Sequence, residues 1–439
     1  MPPTPTPPMP QAVPQDAGKH FILAFLFPLG GLIDCLYNWR QSWAKNVFWI
    51  VCIYLGAIHV YCPEGEILGT GSDAGRYVLR LMEMHSADYT FMQLFREFQT
   101  SARTIDLYQN IINFIISRFT DNGHILFAVL ATIFGFFYSR NIWYILERLP
   151  AETVKKNLIL VALFFLACTI VAINGARMWT ALHVYVYALL PYLVEGKKTR
   201  LWWLFAPPFI HFSFLYVVLF AIAYVLVPDW LKRDNRTFLI GSLIIFIISL
   251  FVSSLNLSQL AITLTKYSPA AYSQRIGGYV SERLMEVRAG QRAGLNWYVR
   301  WSSKTTFWCI SSILLAIFPA FSKEQTRKDL NRLYVFALLI GALVNVMSLI
   351  PSGWRFRVLG RMFHYPIILL TLSQISVKDI GYKITTIASW ILLLPLVVNI
   401  RRLCDDYSIT IFGNFITVFF WENNVLLISY VKGLFGVIK

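Results

Sequence analysis

The amino-acid sequence predicts an all-α polytopic integral membrane protein. Of its 439 residues, 57% are apolar and only 14% are charged, whereas globular chains average ~45–50% apolar and ~25% charged residues. The apolar residues are concentrated in separate blocks of about 20 residues, the length that an α-helix needs to cross a bilayer. Lys and Arg are concentrated in the short loops between these blocks. This alternation is typical of a chain that crosses the membrane many times.

The blocks predict about 11 transmembrane helices and two long extracytoplasmic segments, 62–123 and 255–304, with amphipathic helices. Residues 1–18 are rich in proline, so we expect a disordered tail there and a single membrane domain over 19–439. The stretch 408–431 is interrupted by polar residues, which fits an interfacial helix pair or one poor span. The other apolar blocks are 21–37, 46–61, 124–140, 157–174, 177–194, 201–227, 238–254, 305–321, 333–350, 358–375 and 381–399.

The net charge of +16 reflects membrane topology and not nucleic-acid binding, because the chain has no long basic tract. Cytoplasmic loops of membrane proteins carry an excess of Lys and Arg. This rule predicts a cytoplasmic position for the basic clusters at 40–45, 140–156, 197–200, 232–236 and 323–332.

Block 201–227 is unusually long and contains Pro207-Pro208 followed by His211-Phe212-Ser213. Adjacent prolines remove two backbone donors and break a helix. A broken helix that enters the membrane and returns near His211 leaves every basic cluster on one side, whereas a single tilted span does not. We therefore favour a re-entrant broken helix around 207–213, whose irregular backbone lines a protein cavity.

Several arginines lie at the ends of apolar blocks, where a charge costs at least ~2.5–3.5 kcal/mol and usually faces a cavity. Arg177 begins one block just after the turn Asn174-Gly175-Ala176. On the outward side, the free N–H groups of the helix N-terminus would help Arg177 to bind an anion. The alternative is an arginine that only extends to the membrane interface.

A second group of basic residues lies at the start of block 358–375. Arg355 and Arg357 precede the block, and Arg361, His364 and Tyr365 follow within it. Helical spacing predicts that Arg357, Arg361, His364 and Tyr365 form one polar stripe. Planar guanidinium groups bind phosphate or carboxylate through paired hydrogen bonds, so the stripe predicts an acidic ligand.

Three further candidates come from the polar segments and the broken helix. A Gly-rich turn is expected to present Asp73 at the start of an amphipathic helix with Arg76, Arg80 and Glu83 on one face. His211 and Ser213 are either site residues, acting as general base or as hydrogen-bond donor to a sugar hydroxyl or phosphate, or a polar pair that satisfies the broken backbone. Segment 255–304, with Arg275 among its basic and aromatic residues, fits a carbohydrate contact or a lid on lipid headgroups.

Metal and nucleotide chemistry lack their usual sequence patterns. The chain contains no Asp-x-Asp pair, no Walker loop, no HExxH and no GxSxG. Glu64 and Glu66 are the nearest approach to an acidic metal-binding pair, and the six cysteines are scattered without metal-ligand spacing. We therefore expect no metal and no other cofactor.

With these residues in view, the chain resembles the EpsG/Wzy-type family of bacterial polysaccharide polymerases. The resemblance covers roughly residues 40–380. It depends on four short landmarks and on their order and spacing along the chain. These landmarks are the turn Gly69-x-Gly71-x-Asp73 followed by Tyr77, the helix start at Arg177, the basic loop 196–200 that leads to His211-Phe212-Ser213, and Arg361 followed by Tyr365.

The resemblance implies a glycosyltransferase that joins undecaprenyl-pyrophosphate-linked oligosaccharide repeat units of an O-antigen, capsule or exopolysaccharide. It places the active site at the periplasmic face of the bacterial inner membrane. Arg177, Arg357 and Arg361 would stabilise the leaving pyrophosphate without a metal. Asp73, oriented by Arg76, or His211 would assist the attacking hydroxyl. Further substrate contacts are expected from Tyr77, Ser213, Arg275, Arg355, His364 and Tyr365.

The implied partners are the lipid-linked substrate, the bilayer, and chain-length regulator and flippase proteins. Two other functions stay open at this point. One is a metal-dependent membrane glycosyltransferase or O-antigen ligase that uses Glu64 and Glu66. The other is a flippase or transporter of an anionic lipid-linked sugar, although the chain shows no internal repeat of the kind common in transporters.

Overall fold

The computed structural model confirms the all-α prediction, because every regular element of the described residues is an α- or 3₁₀-helix and none is a strand. The predicted tail up to residue 16, most of segment 255–304 and the candidate Arg275 lie outside the described residues. The expected tail ends earlier than residue 18, because Ala17 and Gly18 belong to the first helix. The described residues are 17–70, 72–100, 106–252, 266, 290, 294, 296–350, 353–420, 424–434 and 436.

Twenty α-helices lie within the described residues. In chain order they are α1 (Ala17–Leu26), α2 (Pro28–Tyr37), α3 (Ala44–Ala57), α4 (Asp73–Ser86), α5 (Phe91–Thr100), α6 (Leu107–Ser117), α7 (Gly123–Leu146), α8 (Ala151–Lys156), α9 (Leu158–Leu166), α10 (Ala176–Glu195), α11 (Pro207–Ile210), α12 (Phe214–Leu226), α13 (Asp229–Arg233), α14 (Arg236–Phe251), α15 (Trp297–Ala316), α16 (Glu324–Met347), α17 (Phe356–Leu372), α18 (Ile380–Ile391), α19 (Leu393–Arg401) and α20 (Leu427–Leu434). The 3₁₀-helices are Ile170–Gly175, Leu201–Phe205, Phe318–Ser322, Gly353–Arg355, Arg402–Asp405, Ile409–Phe412 and Thr417–Phe419.

Five helical stretches of the described chain are long and apolar enough to cross a membrane, which supports the predicted membrane class. The other apolar helices are shorter, so a total of about 11 crossings stays a prediction. The five stretches are Gly123–Leu146, Leu158–Glu195, Trp297–Ser322, Glu324–Met347 and Ile380–Asp405.

The 38-residue stretch Leu158–Glu195 reverses direction, as the sequence predicted for the turn before Arg177. The carbonyl of Cys168 lies 2.8 Å from Nε2 of His183. In one straight helix these two residues would be ~22 Å apart along the axis. The 3₁₀-helix Ile170–Gly175 thus carries the chain up to the start of α10, which then returns beside it.

Block 21–37, expected to be a single span, is instead a hairpin of two short helices. Pro28 follows the end of α1 and begins α2. Nδ1 of His20 lies 2.5 Å from Oδ2 of Asp34, and the His20 ring stacks on Trp43 at 3.7 Å between centroids. Because proline fixes φ and lacks an N–H group, it starts a new helix here and ends the first one.

The C-terminal stretch 408–431 also differs from both expectations. In its described part it contains two 3₁₀ turns, followed by the start of the short helix α20. The Tyr54 hydroxyl donates to the Thr410 carbonyl at 2.5 Å, and the Phe415 ring lies 5.2 Å from the Tyr54 ring. The segment therefore packs on α3 and does not form a helix pair or a span. The polar residues Glu422 and Asn423 lie outside the described residues.

Several predicted cytoplasmic loops meet at one end of the helical body, which we call the basic end. Arg148 Nε donates to Glu195 at 2.9 Å. Arg332 Nη1 donates to the Tyr192 carbonyl at 2.9 Å, and its Nε lies 3.7 Å from Asp229. Four loops that are far apart in the sequence therefore share one end, as a common cytoplasmic position requires. Which side of the membrane this end faces stays a prediction.

Helix α10 ends with Glu195 at the basic end. Arg177, near its start, lies ~27 Å away along the helix axis. The start of α10 is therefore at the opposite end of the helical body, which we call the Arg177 end. Block 201–227 leaves the basic end, breaks after α11, and turns where Phe212 N–H donates to Asp106 at 2.9 Å. Helix α12 then returns to the basic end, where Lys232 Nζ donates to the Val225 carbonyl at 3.1 Å. The predicted broken hairpin is present, and its depth in a bilayer stays a prediction.

Close contact between α3 and α7 depends on Gly56. A Cβ atom at this position would lie 2.2 Å from the Ala131 Cβ and 2.8 Å from the Phe127 carbonyl oxygen. We expect Gly56→Val to lower the free energy of unfolding by ~1–3 kcal/mol, the usual cost of overpacking. Gly241→Val is the matched control, because a Cβ there meets nothing within 4 Å. Equal thermal unfolding midpoints for the two variants in detergent would contradict this assignment.

Candidate functional site

A buried ion pair joins three chain segments at the Arg177 end. Arg177 Nη1 donates to Asp106 Oδ2 at 2.9 Å, and Arg177 Nε donates to the Tyr77 hydroxyl at 3.1 Å. The Asp106 side chain is only 1% exposed. Asp106 directly precedes α6, so the pair ties α4, α6 and α10 together. Burial raises the pKa of Tyr77, although Arg177 acts in the opposite direction, so the phenol stays protonated.

The break between α11 and α12 lies against the same carboxylate. Phe212 N–H donates to Asp106 Oδ1 at 2.9 Å, while Oδ2 receives Arg177. Within the break, Ser213 Oγ lies 2.6 Å from His211 Nδ1. Ser213 is buried and the histidine is partly exposed. A partly exposed imidazole at hydrogen-bond distance from a hydroxyl has the geometry of a general base.

Helix α4 brings the predicted acidic residue to this end. Ala74 N–H donates to the Asn174 side-chain oxygen at 3.0 Å, which fixes the start of α4 beside the turn before Arg177. Asp73 and Arg76 form an ion pair, which is consistent with the expectation that Arg76 orients Asp73. The structure therefore gathers six predicted site residues at the Arg177 end: Asp73, Arg76, Tyr77, Arg177, His211 and Ser213.

A second group of polar residues lines a cleft between four helices. Helix α17 contributes Arg357, Arg361 and His364. The cleft has a cavity volume of about 20 Å³, which is room for about one water molecule. The rest of the lining comes from α14, α15 and α16: Phe246, Thr306, Phe307, Ile310, Ser311, Val344 and Asn345.

This cleft is positively charged. None of its lining residues is acidic. The Arg357 guanidinium lies over the Phe307 ring, 4.5 Å from the centroid. Within the described chain, Arg361 makes no hydrogen bond and no ion pair. Nε2 of His364 lies 3.1 Å from the Ala337 carbonyl, which fixes the ring. Guanidinium groups in a cleft whose described lining contains no carboxylate are suited to an anionic ligand.

Three residues of the predicted stripe on α17, Arg357, Arg361 and His364, line the cleft. Tyr365 lies at the edge of the stripe, ~40° from Arg361 around the helix axis, and does not line the cleft. The Tyr365 side chain is 1% exposed, and its ring lies 6.5 Å from that of Phe164 on α9. Arg355 ends the 3₁₀ turn before α17 and does not line the cleft either.

Aromatic packing connects the two groups. The Phe356 ring lies 6.0 Å from the Phe214 ring. Phe214 directly follows Ser213, and Phe356 directly precedes Arg357. The break in the hairpin and the start of α17 therefore pack against each other. The His211–Ser213 pair and the cleft that contains Arg357 and Arg361 are therefore neighbours in the fold.

Sequence reasoning missed Asp106 and the neutral polar residues of the cleft. Asp106 carried one available signal, because it is the carboxylate directly before an apolar helix that also contains Asn110 and Asn113. An acidic residue followed by amides in an outward segment could have been weighed as a site residue. Thr306 and Asn345 carried no such signal, because isolated polar residues in apolar helices are common.

The two residues of the metal-dependent alternative are not among the residues that line the cleft. Glu64 and Glu66 are both exposed, in the loop between α3 and α4. Within the described ranges, no three His, Cys, Asp or Glu side chains are grouped so that they could hold a metal ion. Comparison with known proteins gives no match: no family model matches the chain, and neither a curated protein nor a solved structure is significantly similar to it.

Proposed function

We propose that this protein is a polysaccharide polymerase of the inner membrane that joins repeat units carried on undecaprenyl pyrophosphate. The observation that carries the proposal is Arg361, a guanidinium without a hydrogen bond or ion pair in the described chain. It lies near Arg357 in a cleft whose described lining contains no carboxylate. A partly buried cation is costly without a counter-charge. An anionic substrate group would supply that counter-charge.

Neighbouring groups support glycosyl transfer. An acceptor hydroxyl attacks the anomeric carbon of the lipid-linked chain, and its proton passes to His211 or Asp73. The new glycosidic bond forms as the bond from the anomeric carbon to the pyrophosphate oxygen breaks. Arg357 and Arg361 stabilise the charge that develops on the leaving pyrophosphate, as fixed donors do in a preorganised site.

Arg177 has a different place in this proposal than the sequence suggested. Its charge is already compensated by Asp106, and its Nε is used by Tyr77. Anion binding therefore depends mainly on Arg357 and Arg361, and a direct contact of Arg177 with the pyrophosphate stays a prediction. The Arg177 end is proposed to face the periplasm, since the basic end fits the cytoplasmic side.

We expect deletion of the gene to leave surface polysaccharide as single repeat units, seen on a gel in place of a ladder of lengths. A plasmid copy should restore the ladder. A copy with Arg361→Ala should not restore the ladder. A copy with Arg236→Ala should restore it, because Arg236 is exposed at the far end of α14. A normal ladder in the deletion strain would refute the proposal.

Purified protein separates the polymerase from the other two functions. Incubation with undecaprenyl-pyrophosphate-linked repeat units in the presence of a chelator should yield a ladder. Loss of activity with the chelator would favour a metal-dependent transferase, and a product of one transfer would favour a ligase. Transbilayer movement of the unchanged substrate without a ladder would favour a carrier.

A further inference from the structure

We infer that Asp106 is a positioning residue, which holds the His211–Ser213 break in the conformation from which His211 acts. The role of this conformation in catalysis rests on the proposed function. The contacts that define the conformation do not rest on the proposed function, because they are contacts of the fold itself. Asp106 is 1% exposed and does not reach a substrate, so it acts through the residues it holds.

The two carboxylate oxygens of Asp106 have separate partners. Oδ2 receives Arg177 Nη1 at 2.9 Å, and Oδ1 receives Phe212 N–H at 2.9 Å. The first contact fixes the carboxylate to the start of α10. The second fixes the backbone of the break, at the residue between His211 and Ser213. Asp106 therefore links the backbone of the break to the start of α10.

A broken helix needs such an acceptor. Backbone N–H groups near a helix end lack helical partners, and burial without a partner is costly. A carboxylate makes a stronger hydrogen bond to an N–H group than a neutral acceptor does. A lone buried carboxylate would itself be unfavourable, and Arg177 compensates its charge. The ion pair and the amide contact therefore support each other.

A second contact holds the chain on the other side of the break. Phe214 starts α12 directly after the break, and its ring lies 6.1 Å from that of Tyr185 on α10. The contacts at Asp106 and Tyr185 hold the chain on both sides of Ser213. The hydroxyl is thereby kept 2.6 Å from His211 Nδ1.

Cysteine reactivity at position 213 tests the inference without using enzymatic activity. In a Ser213→Cys background, a water-soluble maleimide is added to the full-length protein in detergent, and modification of residue 213 is followed by mass spectrometry. We expect Asp106→Asn to speed this modification by ~10- to 100-fold, the factor that corresponds to a lost hydrogen bond to a charged group. Asp106→Glu, which keeps the charge, should give an intermediate rate.

Asp121→Asn is the matched control, because it removes an exposed carboxylate from the same polar segment. It should leave the modification rate unchanged. A folded Asp106→Asn protein, monodisperse on size exclusion, that reacts at the rate of the background would overturn the inference. If Asp106→Asn does not fold, Asp106→Glu decides, and an unchanged rate there overturns the inference as well.

Kinetics then separate this inference from the proposed function. With lipid-linked repeat units, Asp106→Asn should lower kcat with KM unchanged, and Asp106→Glu should recover part of kcat. A wild-type protein that forms no ladder would refute the proposed function, while the reactivity of residue 213 would still report on Asp106. An active Asp106→Asn variant with wild-type kcat would overturn the positioning role alone.

Discussion

Replacing Arg361 with alanine is expected to lower the rate of polymerisation by ~100- to 1000-fold. This factor corresponds to ~2.7–4 kcal/mol, the usual cost of removing one donor that stabilises the transition state. The guanidinium lies in a cleft whose described lining contains no carboxylate, and it has no hydrogen bond or ion pair within the described chain. Its loss should therefore affect the charge of the leaving pyrophosphate and little else. The rate of ladder formation by the purified protein measures the effect.

Stability provides the control for this variant. Because Arg361 is not part of an ion pair among the described residues, Arg361→Ala should unfold at a midpoint no lower than that of the wild type. Arg361→Lys keeps the charge but loses the planar fork, so it should have an intermediate rate. Wild-type rates for Arg361→Ala would show that the cleft does not bind the leaving group.

Replacing Arg177 has a different expected result, a loss of stability. Arg177→Met leaves the Asp106 carboxylate buried without its counter-charge. Breaking a buried pair by removing one partner typically costs ~3–5 kcal/mol. We expect a correspondingly lower midpoint of thermal unfolding in detergent, measured on the full-length protein.

Two further variants show whether the buried charge causes this loss. Combining Arg177→Met with Asp106→Asn removes the uncompensated charge and should recover part of the stability. Arg401→Ala breaks a surface pair with Asp405, whose atoms are 3.1 Å apart, and should cost at most ~1 kcal/mol. If Arg177→Met were no less stable than Arg401→Ala, the pair with Asp106 would not be a stabilising contact.

Features that depend on local composition could be predicted from the sequence. Apolar blocks indicated an all-α membrane protein, and the short basic loops indicated a common side, which the meeting of Arg148, Asp229 and Arg332 at one end supports. The adjacent prolines before His211 predicted the broken hairpin, because proline removes backbone donors wherever it occurs. The spacing of Arg80 and Glu83 predicted that they share one face of an amphipathic helix, and they form an ion pair there.

Features that depend on long-range packing could not be predicted from the sequence. Block 21–37 reads as one span in composition, yet the contact of His20 with Asp34 closes it into a hairpin. Tyr365 has the spacing of the α17 stripe, but the stripe covers only part of the helix circumference and α9 covers Tyr365. Asp106 was overlooked because its partners lie 71 and 106 residues away along the chain.

By itself, the sequence determined the all-α class and the apolar helices long enough to cross a membrane. It also predicted the break before Ser213 and named the polar residues that the structure gathers at the Arg177 end. Only the tertiary structure decided that Asp106 neutralises Arg177 and that the cationic cleft is built by Arg357, Arg361 and three further helices. The physical reason is that helix formation depends on neighbours in the sequence. Charge compensation depends instead on which helices pack together, and no local pattern specifies that.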